Sequence, residues 1–537
     1  MIDDDLESPS PTLPPPGVVA RGRRVIAVGG GRGGVGKSIL TVNLAMYFAQ
    51  LGKSVVICDA DPTGGNLHSM LGLSAAPFYT HDADAGRPMS GGARRNGPIA
   101  TSIPGLSILP SAFDLLTGTP VKPSRRSHWV QHISEISADY VLVYLGASTL
   151  PATLDLFMAA DVGVAVTAAE PIAIETTYGF VRALFARRLR RRLMKERHKL
   201  KLVERALLSL PALASPHDII GSLNRVDPGL ARVAAHELGR LAPRLVVGQT
   251  RLRTDLELGP AMGSLSHRFL GVALDYLGHV EYDDAIWLSV RKRTPLLIES
   301  PTSKGARNIE RVARRILALL AAHDTRALNE VPETEWRAPS PMNLYDVLGL
   351  SRTAADDEIR RAYKRQREIF RDNSFPVVSI VSDKDLRDEQ ARIEEAYDTL
   401  LDPNRRRTYD MSTFPTAAKG DEAPLRRMDE AQAAELAMLQ SELAREITAE
   451  TQFTGSLLRR VRESQGVEIS DIAQKSKISA SHIRAIEAES PAELPALVYV
   501  QGFVTEIAKY LRLDPTQVSR SYMSRFREIS AQLRGIV

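Results

Sequence analysis

Short, continuous apolar runs alternate with stretches of helical spacing from Arg24 to about Ala322. Val25-Ile-Ala-Val28 and Val55-Val-Ile-Cys58 read as strands, as does Tyr140-Val-Leu-Val-Tyr144. Such unbroken runs suit strands covered on both faces. Ile39 to Leu51 reads as a helix, and Ile309, Val312, Ile316, Leu319 and Leu320 fall on one face of a closing helix. The alternation predicts a doubly wound α/β domain over residues 23–325. Within it, the Gly-, Arg- and Pro-rich stretch His81 to Pro98 reads as a mobile loop. Beyond a polar linker at 326–341 the pattern is helical throughout. It predicts two small all-α domains, 342–412 and 453–537. A linker at 413–452 carries an amphipathic helix, with Leu425, Met428, Leu436, Leu439 and Leu443 on one stripe.

The chemistry concentrates in Gly31-Arg32-Gly33-Gly34-Val35-Gly36-Lys37-Ser38, which joins the first strand to the first helix. A Gly-rich turn followed by Gly-Lys-Ser in that frame is a phosphate-binding loop. Glycine tolerates positive φ, so backbone N–H groups close around phosphate oxygens, and the helix N-terminus adds positive potential. Gly33, Gly34, Val35, Gly36, Lys37 and Ser38 are the candidate nucleotide-binding residues. Lys37 reaches the β and γ phosphates, and the Ser38 hydroxyl ligates magnesium.

This loop resembles the deviant Walker A loop of the MinD/ParA family. Val55 to Pro62 resembles that family's switch I strand, which ends in Asp-x-Asp. Leu154 to Asp161 and Glu170-Pro171 match its later core strand and flanks, and Leu277 to Leu296 is similar to the FlhG-type branch, which positions flagella. The resemblance implies ATP or ADP with Mg2+ and a nucleotide-dependent homodimer. It makes Asp61 the residue that positions the attacking water, with Asp59 beside Ser38 at the metal. Three positions depart from the family. Its signature lysine, which reaches the partner's phosphates, falls at Arg32, which keeps the charge with a different reach. Tyr144 stands where the Walker B aspartate belongs, and a phenol of pKa ~10 brings no negative charge. Gly248 replaces an amide in the adenine-reading segment Leu245 to Gln249. These departures imply nucleotide binding with weak or degenerate ATPase activity.

Leu344 to Leu350, Asp357 to Phe370, Ile393 to Pro403 and Arg407 to Asp410 resemble the four segments of a J domain. The His-Pro-Asp tripeptide that recruits a DnaK-type chaperone is replaced by Phe370-Arg371-Asp372-Asn373-Ser374, which favours a retained scaffold. Leu457 to Gly466, Ile469 to Ile478 and Ser481 to Glu487, with Ser479 as N-cap, form a helix-turn-helix pattern. With its tail, Leu494 to Pro515, this region resembles the cytoplasmic domain of RodZ, which acts on a cytoskeletal filament, without the membrane span that follows there. Ser481, His482 and Arg484 are placed to face a major groove, but Glu487 and Glu489 would repel phosphate, which favours a protein partner over DNA.

Composition adds little. The chain has 537 residues, a net charge of +5 and one cysteine, Cys58, inside an apolar strand, so no internal disulfide forms. Residues 1–22 are acidic and then Pro-rich, a disordered tail with no signal-peptide core, and the expected compartment is cytoplasmic. The basic run Arg187 to Lys201 suits either a solvated helix face or a weak contact with phosphates or an anionic membrane surface. The last helix aligns Tyr522, Phe526, Ile529, Leu533 and Ile536, a face that suits packing or a membrane surface. The favoured reading is a nucleotide-binding spatial regulator. It would recruit a cytoskeletal or polar factor through 453–537 to place a cytoskeletal, polar, flagellar or division assembly. A nucleotide-controlled DNA-binding transcription regulator and an active ATPase coupled to a chaperone remain as alternatives.

Overall fold

In the computed structural model the described residues are 23–61, 66–73, 98–109, 136–211, 214–326, 342–377, 379–414 and 451–534, less 466, 468, 496 and 512, plus isolated positions from 133 to 447. The expected tail, the loop at 81–97, the 327–341 linker and most of 415–450 lie outside them.

The first unit is built on one eight-stranded sheet of order β3-β4-β2-β5-β1-β6-β7-β8. The strands are β1 (Arg24–Gly29), β2 (Val55–Asp59), β3 (Ile99–Ala100), β4 (Leu106–Leu109), β5 (Tyr140–Tyr144), β6 (Val162–Ala168), β7 (Arg244–Thr250) and β8 (Asp275–Glu281). Every pair is parallel except β3–β4 at the edge. Burial explains the unbroken apolar runs: β2 and β6 are buried at every position, because helices cover both faces. The helix Pro171–Leu193 supplies Tyr178, Phe180 and Phe185 to this core, all at 0% exposure. The closing helix spans Lys304–Arg326, longer than its apolar stripe, and packs on β8.

The same unit, which extends to Asp429, includes the J-like helices Leu344–Leu348, Asp356–Ile369, Asp383–Leu401 and Pro403–Thr413. A capping box between Asn343 and Asp346 opens the first. Tyr345, Leu348, Ile359, Phe370, Ile393 and Leu400 form their core.

Residues 430–537 form a second unit. Its helices are Gly455–Ser464, Ile469–Ser476, Ala480–Glu487, Leu497–Tyr510 and Pro515–Arg534. The Ser479 side chain caps the third, as expected. Leu443 joins this core with Ile447 packed against it, while Ala437, Met438 and Gln440 of the connecting segment are exposed. The last helix turns its apolar face inward: Tyr522 and Phe526 are buried, and the Tyr522 hydroxyl donates to the Ile486 carbonyl at 2.9 Å. Leu533 has no described side chain, and Ile536 lies outside the described residues.

Three charge readings change once partners are visible. Glu487 is held by Arg462 at 2.6 Å, and Glu489 by Arg525 at 2.9 Å, so neither carboxylate is a free negative charge beside the third helix. The His482 ring stacks on Phe503 at 5.4 Å rather than standing free for a groove. In the basic run, Arg187 and Arg191 pair with Asp155, Arg188 with Glu237, and Arg192 and Lys199 with Glu196. Much of that run holds its own domain together, while Arg190, Lys195 and Arg197 stay exposed.

The Arg462–Glu487 pair is nearly solvent-free, with side chains 8% and 10% exposed. Removing one partner strands the other, so Arg462→Ala is expected to cost about 3–5 kcal/mol. Amide exchange of the Ala480–Glu487 helix under mild denaturant measures it. A loss below about 1 kcal/mol would mean the pair is as weak as a surface one.

Candidate nucleotide site

The sheet order brings the candidate residues to one edge. β1 lies between β5 and β6, with β2 on the far side of β5. Asp59, Tyr144 and Val28 are register partners at the carboxyl ends of β2, β5 and β1. The phosphate loop leaves β1 at that edge, where ligands of open α/β sheets bind. The first helix, Lys37–Gln50, starts at the loop's lysine.

The loop is held by approaches too close for a side chain. A Cβ at Gly31 would lie 2.4 Å from the Thr176 carbonyl oxygen of the Pro171–Leu193 helix. One at Gly248 would lie 2.4 Å from the Val35 carbonyl oxygen. Gly248 is therefore more than a lost amide: β7 needs glycine there because the phosphate loop presses on it. Gln249 takes the left-handed conformation, φ 57°, and its side-chain amide donates to the Gly34 carbonyl at 2.5 Å. Gly34 and Gly36 adopt φ 78° and 97°. A Cβ at Gly33, Gly34 or Gly36 would meet nothing within 4 Å, so these residues border open space.

Charge follows the same geometry. Lys37 is 4% exposed, and its ammonium donates to the Arg32 carbonyl across the loop. Burial lowers its pKa to about 8, against the pull of Asp61. Asp59 is 1% exposed, and burial raises its pKa to about 7 although the Asp61 amide donates to it. Asp61 lies over Gly146, where a Cβ would fall 2.2 Å from a carboxylate oxygen. Gly146, at φ 64°, thus makes room for the switch I acid just after β5. The Ser38 hydroxyl donates to the Tyr144 phenol oxygen at 2.9 Å. Burial raises the Tyr144 pKa, so the phenol stays neutral.

The residues present fit magnesium. Two carboxylates and a hydroxyl converge beside the loop, and a buried carboxylate disfavoured as an anion gains most from a cation. Among the described residues no cluster of three His, Cys, Asp or Glu exists, so a further ligand would come from phosphate or water.

The structure thus brings together Lys37, Ser38, Asp59, Asp61, Tyr144 and the loop glycines. Arg32 sits half-buried at the loop, with its carbonyl bound to Lys37. Sequence reasoning missed Gly146 and the Gln249–Gly34 bond. The Gly after the Walker B strand was the available signal for the first; nothing local pointed to the second.

The chain is similar to known proteins over parts of its length. A model described as the NUBPL iron-transfer P-loop NTPase family matches residues 21–94, a DnaJ-domain model 343–410, and a helix-turn-helix model 457–518. The antiactivator FleN of Pseudomonas aeruginosa is 26% identical over 295 residues, covering 55% of this chain and 86% of that protein. The chromosome-partitioning ATPase Soj of Thermus thermophilus is 32% identical over 161 residues, 30% of this chain and 61% of that one. A solved structure of the septum site-determining protein MinD from Pyrococcus horikoshii, complexed with Mg-ADP, is 19% identical with a TM-score of 0.36, covering 56% of this chain and 98% of that one. Among the described residues no helix is long and apolar enough to cross a membrane.

The two buried charges give the ligand-free protein a defined pH response. Asp59 has a folded pKa raised from 3.8 to about 7, so the stability it contributes is full below pH 3.8 and is lost as pH rises to about 7. Lys37 has a folded pKa lowered from 10.5 to about 8, so its contribution is full above 10.5 and is lost as pH falls to about 8. Urea unfolding without nucleotide is expected to show Asp59→Asn gaining on wild type between pH 5 and pH 7.5. Parallel pH dependence of the two proteins across that window would refute the burial of a titrating carboxyl.

Proposed function

We propose that this chain, a P-loop protein of the MinD/ParA type carrying a DnaJ domain and a helix-turn-helix domain, is a nucleotide-binding regulator with slow or absent hydrolysis. The observation that carries this reading is the Ser38–Tyr144 hydrogen bond at 2.9 Å. The phenol occupies the Walker B position and engages the hydroxyl that a metal would use, without supplying charge.

Binding rests on groups independent of Tyr144. The loop N–H groups cradle phosphate, and Lys37 exchanges the Arg32 carbonyl for phosphate oxygens. Ser38 and Asp59 would hold magnesium, which when bound neutralises charge on the phosphates. Asp61, seated over Gly146, orients water. Arg32 would be the cation that meets a partner's phosphates in a nucleotide-dependent homodimer, as the family resemblance implies. Loss of one electrostatic support of the Walker B kind costs about 10²–10³ in rate. The J-like and helix-turn-helix domains then recruit protein partners, and the output is spatial or regulatory: placement of a cytoskeletal, polar, flagellar or division assembly. FleN and Soj, an antiactivator and a chromosome-partitioning ATPase, support a regulatory role of this general kind.

A second reading, nucleotide-controlled DNA binding, gains from one observation. With Glu487 and Glu489 neutralised internally, Ser481, Arg484, Lys475 and Lys477 remain exposed around the third helix. Steeply salt-dependent retention of a specific duplex by the full chain would favour it over a protein partner.

Calorimetric titration with Mg-ATP is expected to show binding by wild type and none by Lys37→Ala. Phosphate release is expected to be slow in wild type and faster in Tyr144→Asp. Rapid wild-type turnover that disappears in Asp61→Ala would show that Tyr144 is no handicap, and absent binding would reduce the loop to a scaffold.

A further inference from the structure

The J-like helices Asp356–Ile369 and Asp383–Leu401 are joined by residues 370–382, where a J domain meets its chaperone. Here Phe370, Ser374, Pro376 and Val377 of that segment turn inward, while Arg371, Asp372, Asn373 and Phe375 stay exposed. Phe370 is 2% exposed, Val377 is 6% exposed, and Pro376 is buried. The Tyr178 hydroxyl of the Pro171–Leu193 helix donates to the Pro376 carbonyl at 2.7 Å. One turn on, the Arg182 guanidinium donates to the Ser379 carbonyl at 2.9 Å. Ser379 itself is held in the left-handed region, φ 59°. Arg268, just beyond the helix Leu258–Leu265, pairs with Glu389. Its guanidinium lies 5.3 Å from the Phe269 ring centre and 5.4 Å from that of Phe370. Leu265 completes the J-like core.

These contacts are chemically specific. Two main-chain carbonyls of the segment accept from a phenol and a guanidinium, and a part-buried ion pair flanks them. The helix that carries both donors also bounds the phosphate loop, because Thr176, two residues before Tyr178, is the residue against which Gly31 closes. One rigid element therefore touches the nucleotide site on one side and the J-like segment on the other.

We propose that residues 370–382 are an internal ligand of the P-loop domain, and that their docking and nucleotide binding reinforce each other through the Pro171–Leu193 helix. The buried part of this segment has this chain's own P-loop domain as its partner. The docking rests on the contacts above; the linkage rests also on the nucleotide-binding reading. Docking fixes Thr176 against Gly31 and so favours the ordered loop that phosphate requires. By reciprocity, nucleotide strengthens docking by the same factor.

Hydrogen exchange of the full chain tests the docking without nucleotide. Residues 370–382 are expected to be protected in wild type and to exchange about tenfold faster in Arg268→Ala, with Arg268→Lys in between. Tyr178→Phe, which removes a single oxygen, covers the case in which Arg268→Ala unfolds the whole unit, an event that would also expose the helices on either side. Calorimetry with Mg-ADP tests the linkage: Arg268→Ala is expected to bind about five- to tenfold more weakly than wild type. Unchanged exchange of 370–382 in both Arg268→Ala and Tyr178→Phe overturns the docking. Freed exchange with unchanged Mg-ADP affinity overturns the linkage. Failure of wild type to bind Mg-ADP overturns the nucleotide reading and the linkage with it, and leaves the docking to the exchange data alone.

Discussion

Main-chain contact around the phosphate loop is the constraint on which the rest depends. The loop is pinned where Gly31 meets the Thr176 carbonyl and where the Val35 carbonyl meets Gly248. Neither approach leaves room for a Cβ. Between these contacts Gly34 and Gly36 take positive φ values and border open space, which an anion-cradling turn needs. It also makes β7 and the Pro171–Leu193 helix part of the site, although neither carries a phosphate-binding motif.

The electrostatics follow from that rigidity. Lys37 and Asp59 are held almost out of water on neighbouring elements, each in the direction that disfavours its charge. Such groups are poised for partners of opposite sign, the lysine for phosphate and the carboxylate for a cation. Tyr144 is the discordant member. It lies in register with Asp59, where a carboxylate would share the cation, yet gives only a neutral oxygen to Ser38.

The flanking units show how pairing changes the meaning of charge. The acids at the end of the third helix of the helix-turn-helix unit are structural, one clamped by Arg462 and one bound both to Arg525 and to the Gly455 amide. Most of the paired cations at 187–199 likewise serve the domain that contains them. In the J-like unit the same chemistry works across an interface, where Arg268 and Glu389 pair beside the mutually tilted rings of Phe269 and Phe370.

Local pattern was enough for the α/β class, the Gly-rich loop between the first strand and helix, and the helical identity of the two later domains. Unbroken apolar strands, glycines at a strand-to-helix turn and helical spacing are properties of a few adjacent residues, so they survive in one dimension. The sequence also exposed Tyr144 as a departure, because its strand is recognisable by itself. It could not show that the phenol bonds to Ser38, 106 positions away, or that Gly248 is required by the Val35 carbonyl. It suggested repulsive acids and a free basic run because charge was visible and partners were not. The contact of Tyr178 and Arg182 with the Pro376 and Ser379 carbonyls was equally hidden, since nothing adjacent in the sequence marks either residue. Each of these was decided by tertiary structure for one physical reason: hydrogen bonds, ion pairs and close main-chain approaches join residues far apart in the chain, and only the folded backbone brings them within reach.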